Sequence, residues 1–269
     1  TMGGMIVPMT LSKDSTFLER ALHEQMLQGL LVGLGLCLIC YSLAQWLTLR
    51  EALLLKYAVL IGGGVLFSIV QFGIGAQFIW VDVLWFEMHL APLAALMAAA
   101  GMSLFVEEAL REPEQPRWFG AVMKGIALFL ALVGSAFAVG WIDVNAVSKV
   151  IGTVGLAPAL LGLPGAIRRV RRGDSVGWYF IVAWVGYFIA TAIMVLLIRG
   201  VVPATSWTLH SFQIGATLDM LLFLRVLALR LNAVHELATR TAHERDHALN
   251  MAATDALTGL PNRRGLQSA

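Results

Sequence analysis

Charge is scarce in this chain. Asp, Glu, Lys and Arg make up 13% of its 269 residues, about half the share of a soluble domain. Apolar residues reach 58% and the mean hydropathy is +0.77. This balance excludes an ordinary soluble fold and points to repeated membrane crossing. Cysteine is almost absent: Cys37 and Cys40 are the only two. They sit close together in one apolar run, where a straight helix disfavours a disulfide. No four-ligand Cys/His pattern for zinc is present, so no metal is expected. Both cysteines read as small packing residues. No signal peptide precedes Thr1, and the chain reads as a fragment or processed form with a part upstream.

What is present is apolar runs of membrane length. Seven qualify, at 26–49, 53–75, 85–106, 118–140, 147–167, 177–198 and 206–228, each near the 20 residues or so that a helix needs to span. The fifth is interrupted by Gly155, Pro158, Gly162, Pro164 and Gly165, which membrane helices tolerate when neighbours satisfy the freed backbone groups. The expected fold is an all-α membrane protein: a seven-transmembrane helix bundle over 21–228, with the last helix extending through 229–254 as a cytoplasmic signalling helix or coiled coil. Residues 1–20 are not a span. Their MIVPMTL stretch is β-leaning, and its Pro8 suits a strand edge. It reads either as the tail of a missing extracytoplasmic sensor domain or as a disordered tail. Asp14, Ser15 and Thr16 offer capping chemistry for the helix that follows.

Lys and Arg set the orientation. With the N-terminus outside, the inner side holds Arg50, Lys56, Arg111, Arg117, Lys124, Arg168, Arg169, Arg171 and Arg172, and the C-terminal part adds Arg225, Arg230, Arg240, Arg245, Arg263 and Arg264. The outer side keeps only Lys13, Arg20, Lys149 and Arg199. The positive-inside bias therefore places the N-terminus out and the C-terminus in. Tryptophan agrees: Trp46, Trp118 and Trp178 fall at inner ends, and Trp80, Trp85, Trp141 and Trp207 at outer ends. The basic RRVRRGDS loop reads as a topology determinant in contact with anionic lipid, with contact to an acidic partner or a nucleotide as the alternative.

Ionisable and amide groups inside a membrane are candidate sites by default. Trp85, Glu87 and His89 lie near the outer end of span three, His210 and Gln213 near that of span seven, and Gln71 at that of span two. They could converge on an outward-facing pocket for a small-molecule or lipid ligand, or simply be solvated at the interface. Asp219 lies deeper, midway along span seven, and Lys124 on span four is at a compatible depth. A buried Asp219–Lys124 pair anchoring the last helix is the expectation. A neutral, hydrogen-bonded carboxyl and a proton or ligand switch are the alternatives.

Past Leu224 a seven-residue frame runs through Leu227, Leu231, Val234, Ala238, Thr241, Arg245, Ala248 and Ala252. This is a weak coiled-coil seam, fitting a marginal parallel dimer or a solvated helix.

The chain then reaches DALTGLPNRRG. Asp255, Leu257, Thr258, Gly259, Leu260, Asn262, Arg263 and Arg264 resemble the start of a GGDEF domain, the bacterial diguanylate cyclase module. Residues 255–269 would be its first segment. The region before it, about 5–235, resembles the bacterial seven-transmembrane receptors with diverse intracellular signalling modules. Together these resemblances imply a dimeric receptor of the bacterial inner membrane whose output is cyclic di-GMP made from GTP with Mg²⁺. Asn262 would contact the guanine base. The cyclase signature and its metal-binding aspartate are not in this sequence, so this fragment itself is expected to lack a catalytic residue and a cofactor. A nucleic-acid partner is not expected.

Other classes fit less well. A transporter, or a ligand-binding membrane protein without enzymatic output, is the main alternative, yet an odd number of spans is awkward for two equal repeats. A retinal photoreceptor needs a Schiff-base lysine in the last span, and 206–228 contains none. A eukaryotic G-protein-coupled receptor lacks support because neither DRY nor NPxxY occurs.

Overall fold

A computed structural model describes residues 14–111 and 116–253. The described residues through Val226 form one helical unit, and those from Leu227 onward separate as a second. Every regular element among the described residues is helical: α1 (Asp14–Leu49), α2 (Ala52–Gln71), a π-helical turn (Gly75–Ile79), α3 (Leu84–Ala109), α4 (Arg117–Ala138), α5 (Val144–Val154), α6 (Ala157–Arg171), α7 (Ser175–Ile198) and α8 (Ser206–Ala253). Seven helical stretches are long and apolar enough to cross a membrane. MIVPMTL and DALTGLPNRRG lie outside the described residues.

The fifth span departs from a single helix. It is α5 followed by α6, parted at Gly155 and Leu156. Pro158 stands in the first turn of α6, where its missing N–H costs no intrahelical bond. A Cβ on Gly155 would collide with the Ile151 carbonyl, so glycine is required at the break. Two aspartates start helices by capping them. Asp143 accepts from Ala146 N–H at 3.1 Å at the head of α5, and Asp174 accepts from Val176 N–H at 2.9 Å at the head of α7.

Close packing centres on α2 and α3, which meet through reciprocal glycines. A Cβ on Gly63 would collide with the Ala98 backbone, and one on Gly101 would lie 2.6 Å from Leu60 N. Small residues let membrane helices approach this closely where lipid supplies no hydrophobic drive for association. Besides α2, α3 meets α4, α5 and α6, α1 meets α2, and α6 meets α7. A cluster of fully buried rings ties α8 to them: Phe223 lies 5.0 Å between ring centres from both Phe105 on α3 and Phe180 on α7. Tyr57 on α2 completes it, 5.7 Å from Phe105. Leu96, Leu130, Phe137 and Val147 form a second cluster joining α3, α4 and α5.

In the second unit, Val234 and Leu237 are exposed at 46% and 67%. Glu236 and Arg240 form a surface ion pair at 3.7 Å. The Thr239 and Thr241 hydroxyls donate to the carbonyls of Glu236 and Leu237 on their own helix. In this single chain the expected seam positions Val234, Ala238, Thr241 and Arg245 face solvent.

Candidate functional site

The connections around Arg50, Arg111 and Gly173 mark one end of the bundle, here termed the basic end. Those around Gly73, Gly140 and Gly200 mark the opposite end. Chain reversal at both uses residues with positive φ: Gly173 at 77°, Gly73 at 71°, Gly140 at 81° and Gly200 at 71°. Arg50 adopts φ 56° between α1 and α2, with its guanidinium 5.3 Å from the centre of the Trp46 ring.

The polar residues expected to share one pocket at the opposite end fall into two places. On α3, the Trp85 and His89 rings stack with centres 4.6 Å apart. His89 Nδ1 donates to the Trp85 carbonyl at 2.9 Å, and the ring leans on Phe137 of α4 at 4.9 Å. Glu87 is exposed beside them, and Gln71 is exposed at the end of α2. On α8, His210 is buried and stacks on Phe72 with ring centres 5.1 Å apart. Its Nδ1 donates to the Ser206 carbonyl at 2.8 Å. A carbonyl can only accept, so Nδ1 carries a proton. The structure does not join the α3 cluster to the α8 cluster, because each histidine stacks on an aromatic ring of a different helix pair.

Gln213, one turn beyond His210, is the centre of the second place. Its Nε2 donates to Gln28 Oε1 on α1 at 2.7 Å, inside the bundle. Both side chains are nearly buried, at 3% and 6% exposure. Gln213 Oε1 and Gln28 Nε2 have no hydrogen-bond partner among the described residues. The pair therefore presents one free acceptor and one free donor, each expensive to leave unmet in a low-dielectric interior. A cavity open to the centre of a water molecule over about 10 Å³ lies alongside, lined by Ser68, Gln213, Thr217 and apolar residues of α1, α2 and α8. That is about the minimum that holds one water. Gln28 is not among the residues expected from sequence, because it lies near the start of the first apolar run, where an amide looks interfacial. Only the approach of α1 to α8 makes it a site residue.

Asp219 is buried at 6% exposure, as its depth implied. Its expected partner is elsewhere. Lys124 lies 3.5 Å from Glu107, and Asp219 Oδ1 has no hydrogen-bond partner among the described residues. Tyr57 approaches the same turn of α8 but donates to the Met220 carbonyl at 2.6 Å. The Asp219–Lys124 pair is thus replaced by two separate arrangements, because Glu107 on α3 stands nearer to Lys124.

The basic end carries a polar network not anticipated from the sequence. Lys56 on α2 donates to Glu107 at 2.9 Å and to Glu108 at 2.6 Å. Arg111 donates to Glu107 at 2.8 Å and pairs with Glu108 at 3.1 Å. Its hydrogen bond to Glu107 holds the Arg111 guanidinium above its ordinary pKa, aided by the charge of Glu108. Arg169 on α6, 3% exposed, donates to Asp174 at 2.7 Å and to the Arg111 carbonyl at 3.1 Å. Intrahelical spacing could have signalled the Glu107–Arg111 pair. The links from Lys56 and Arg169 depend on which helices are neighbours.

No cluster of His, Cys, Asp and Glu that could hold a metal ion occurs among the described residues. A family model described as 7TM diverse intracellular signalling matches residues 24–230. No curated protein and no solved structure matches the chain. The matched region spans the seven apolar helices of the bundle. The chain therefore belongs to the 7TM diverse intracellular signalling family, and its bundle is the multi-pass domain of a transmembrane signalling receptor.

Proposed function

We propose that the bundle senses an extracytoplasmic or membrane-borne ligand beside Gln28, Gln213 and His210, and that α8 carries the result to a diguanylate cyclase beginning at Asp255. The observation that supports the input is the pair of unmet amide valences on Gln28 and Gln213. A small neutral group that both donates and accepts hydrogen bonds would satisfy both, and the His210 ring lies one turn away with Nδ1 already used by the Ser206 carbonyl. The cavity's present size admits only water, so a larger ligand would have to part α1 from α8. That movement is the signal. The α3 cluster of Trp85, Glu87 and His89, with Gln71 on α2, would line the approach at the membrane surface.

The output reading rests on DALTGLPNRRG. In the longer protein Asn262 would contact guanine, GTP would be the substrate and Mg²⁺ the cofactor, supplied by a cyclase domain extending beyond Ala269. The family's name leaves the intracellular module open, and this motif is what favours the cyclase. The seam from Leu227 to Ala252 would join two copies. The resemblance to bacterial receptors favours the bacterial inner membrane, and the Lys and Arg distribution favours an extracytoplasmic N-terminus and a cytoplasmic C-terminus.

The test restores the C-terminal domain and follows cyclic di-GMP formation in proteoliposomes. Gln28→Leu and Gln213→Leu should each change the basal rate, whereas Gly125→Ala, where an added Cβ meets nothing within 4 Å, should not. An unchanged rate after all seven helices are replaced by one unrelated membrane anchor would sink the receptor reading. Absence of cyclic di-GMP under every condition would sink the output reading alone.

A further inference from the structure

The seam where α1, α2 and α8 meet holds the bonded amides of Gln28 and Gln213 and the small cavity beside them. Two properties of this place restrict what can occupy it. The first is valence. Once Gln213 Nε2 has donated to Gln28 Oε1, the pair keeps one orphan donor, Gln28 Nε2, and one orphan acceptor, Gln213 Oε1, among the described residues. Turning both amides over exchanges the roles of the two residues and again leaves one donor and one acceptor. The Thr217 hydroxyl in the cavity wall has its single proton in use, because it donates to the Gln213 main-chain carbonyl at 2.8 Å. The second property is the lack of charge. No Asp, Glu, Lys, Arg or His lines the cavity among the described residues, so a charged head would enter without a counter-charge and at a large desolvation cost. The other walls are mostly apolar: Leu31, Val32, Val65, Ala216 and Met220. Of these, Leu31, Val32, Ala216 and Met220 are only half-buried, which puts the mouth of the cavity on the flank of the bundle, between two membrane-length helices.

We propose that this site takes an uncharged amphiphile that carries a hydroxyl at the end of an alkyl tail and reaches it from the bilayer. A hydroxyl is donor and acceptor at once. Its O–H donates to Gln213 Oε1 and its oxygen accepts from Gln28 Nε2, in the space of about 10 Å³ that otherwise suits one water. The tail lies along the half-buried groove between α1 and α8. An ionised carboxylate has no proton for Gln213 Oε1, and an alkylammonium has no lone pair for Gln28 Nε2. The two glutamines therefore select for neutrality, because a site built to bond a hydroxyl rejects an analogue that leaves its buried groups unpaired. This inference rests on the ligand reading of the same site given above, and adds to it the class of ligand and its route.

The test is photolabelling of the chain in nanodiscs with a diazirine-bearing long-chain alcohol, followed by peptide mapping and competition in mildly alkaline buffer. Label should fall on α1 and α8 beside Leu31, Val32, Ala216 or Met220. Decanol should compete, whereas ionised decanoate and decylammonium should each compete less well, on the order of ten-fold. Glycerol, which has hydroxyls and no tail, should not compete. Gln28→Leu combined with Gln213→Leu replaces both bonded amides by apolar groups of similar size, a change that buried pairs tolerate, and should abolish the preference for decanol. Gln213→Glu supplies an acceptor with negative charge and should turn the preference towards decylammonium. Decanoate or decylammonium competing as well as decanol would overturn the hydroxyl assignment and leave the ligand site standing. Full competition by glycerol would overturn the bilayer route. Label away from the seam, or an unchanged order of competition in either variant, would overturn the inference as a whole; a cyclase rate that still responded to Gln28→Leu and Gln213→Leu would then leave the receptor reading intact.

Discussion

Replacing Glu107 with alanine removes the carboxylate that Lys56, Arg111 and Lys124 share, at 2.9, 2.8 and 3.5 Å. Glu107 is only 4% exposed, so water does not screen the pairs on its side. A charge-assisted hydrogen bond contributes about 1.5–3 kcal/mol, and breaking a fully buried pair costs about 3–5 kcal/mol. Two features reduce that figure here. Lys56, 17% exposed, keeps Glu108 at 2.6 Å. Arg111 and Lys124, 55% and 57% exposed, can turn to water or headgroups, so their share is discounted as for surface pairs. The expected cost is about 2–3 kcal/mol, or roughly 5–10 °C in the melting temperature of a bundle this size. The assay is thermal unfolding of purified protein in detergent. Glu108→Gln, at a position 21% exposed, should cost about 1 kcal/mol. Lys56→Met combined with Glu107→Leu should be better tolerated than the sum of the two single changes, because no buried charge is then left unmatched: Arg111 keeps Glu108, and Lys124 is exposed. A shift below about 2 °C for Glu107→Ala, or a larger one for Glu108→Gln, would refute the reasoning that Glu107 is the hub.

Four further outcomes are expected. Asp219→Leu removes a buried carboxyl with an orphan oxygen, so it should raise thermal stability and alter signalling more than Leu218→Ala or Leu221→Ala on the 46% and 40% exposed face of α8; equal, negligible effects would show that the acid is idle. Gly63→Ala and Gly101→Ala force α2 from α3 and should each destabilise by about 1–3 kcal/mol, whereas Gly125→Ala should be neutral in the same melting assay. The Asp143 pKa lies below the usual carboxylate value because it accepts the Ala146 N–H and then the Asn145 amide. A depressed folded-state value means that the cap's stabilisation is present above the ordinary aspartate pKa and fades as pH falls through the lowered one; amide exchange at the head of α5 should quicken in Asp143→Ala at neutral pH, Asp143→Asn should largely preserve protection, and the difference should vanish in strong acid. An isolated peptide covering 226–255 should self-associate weakly and in a salt-sensitive way, and a rigid dimer by sedimentation would contradict a marginal seam.

Much of the architecture was legible because membrane spanning is a one-dimensional constraint. Apolar length alone locates the seven crossings, and Pro158 with Gly155 flags the place where the fifth divides into α5 and α6. The depth of Asp219 and its burial were legible for the same reason. Its partner was not: two residues at similar depth are bonded only if their helices touch, and depth carries no information on adjacency. Lys124 could reach Glu107 or Asp219 by that criterion, and the approach of α4 to α3 decided for Glu107.

The site divides along the same line. His210 and Gln213 were marked by their chemistry inside an apolar run, but so were Trp85, Glu87 and His89, and the sequence had no means of separating them. The tertiary structure does so by stacking His89 against α4 and His210 against α2. Gln28 became a site residue only when α1 came to lie beside α8. The sequence by itself determined the number and approximate placement of the apolar helices and the chemical types available along each, because transfer to the bilayer acts on each residue and segment separately. Only the tertiary structure decided which polar groups meet and which are left with an unmet valence, because hydrogen bonds and ion pairs are short-ranged properties of two neighbours.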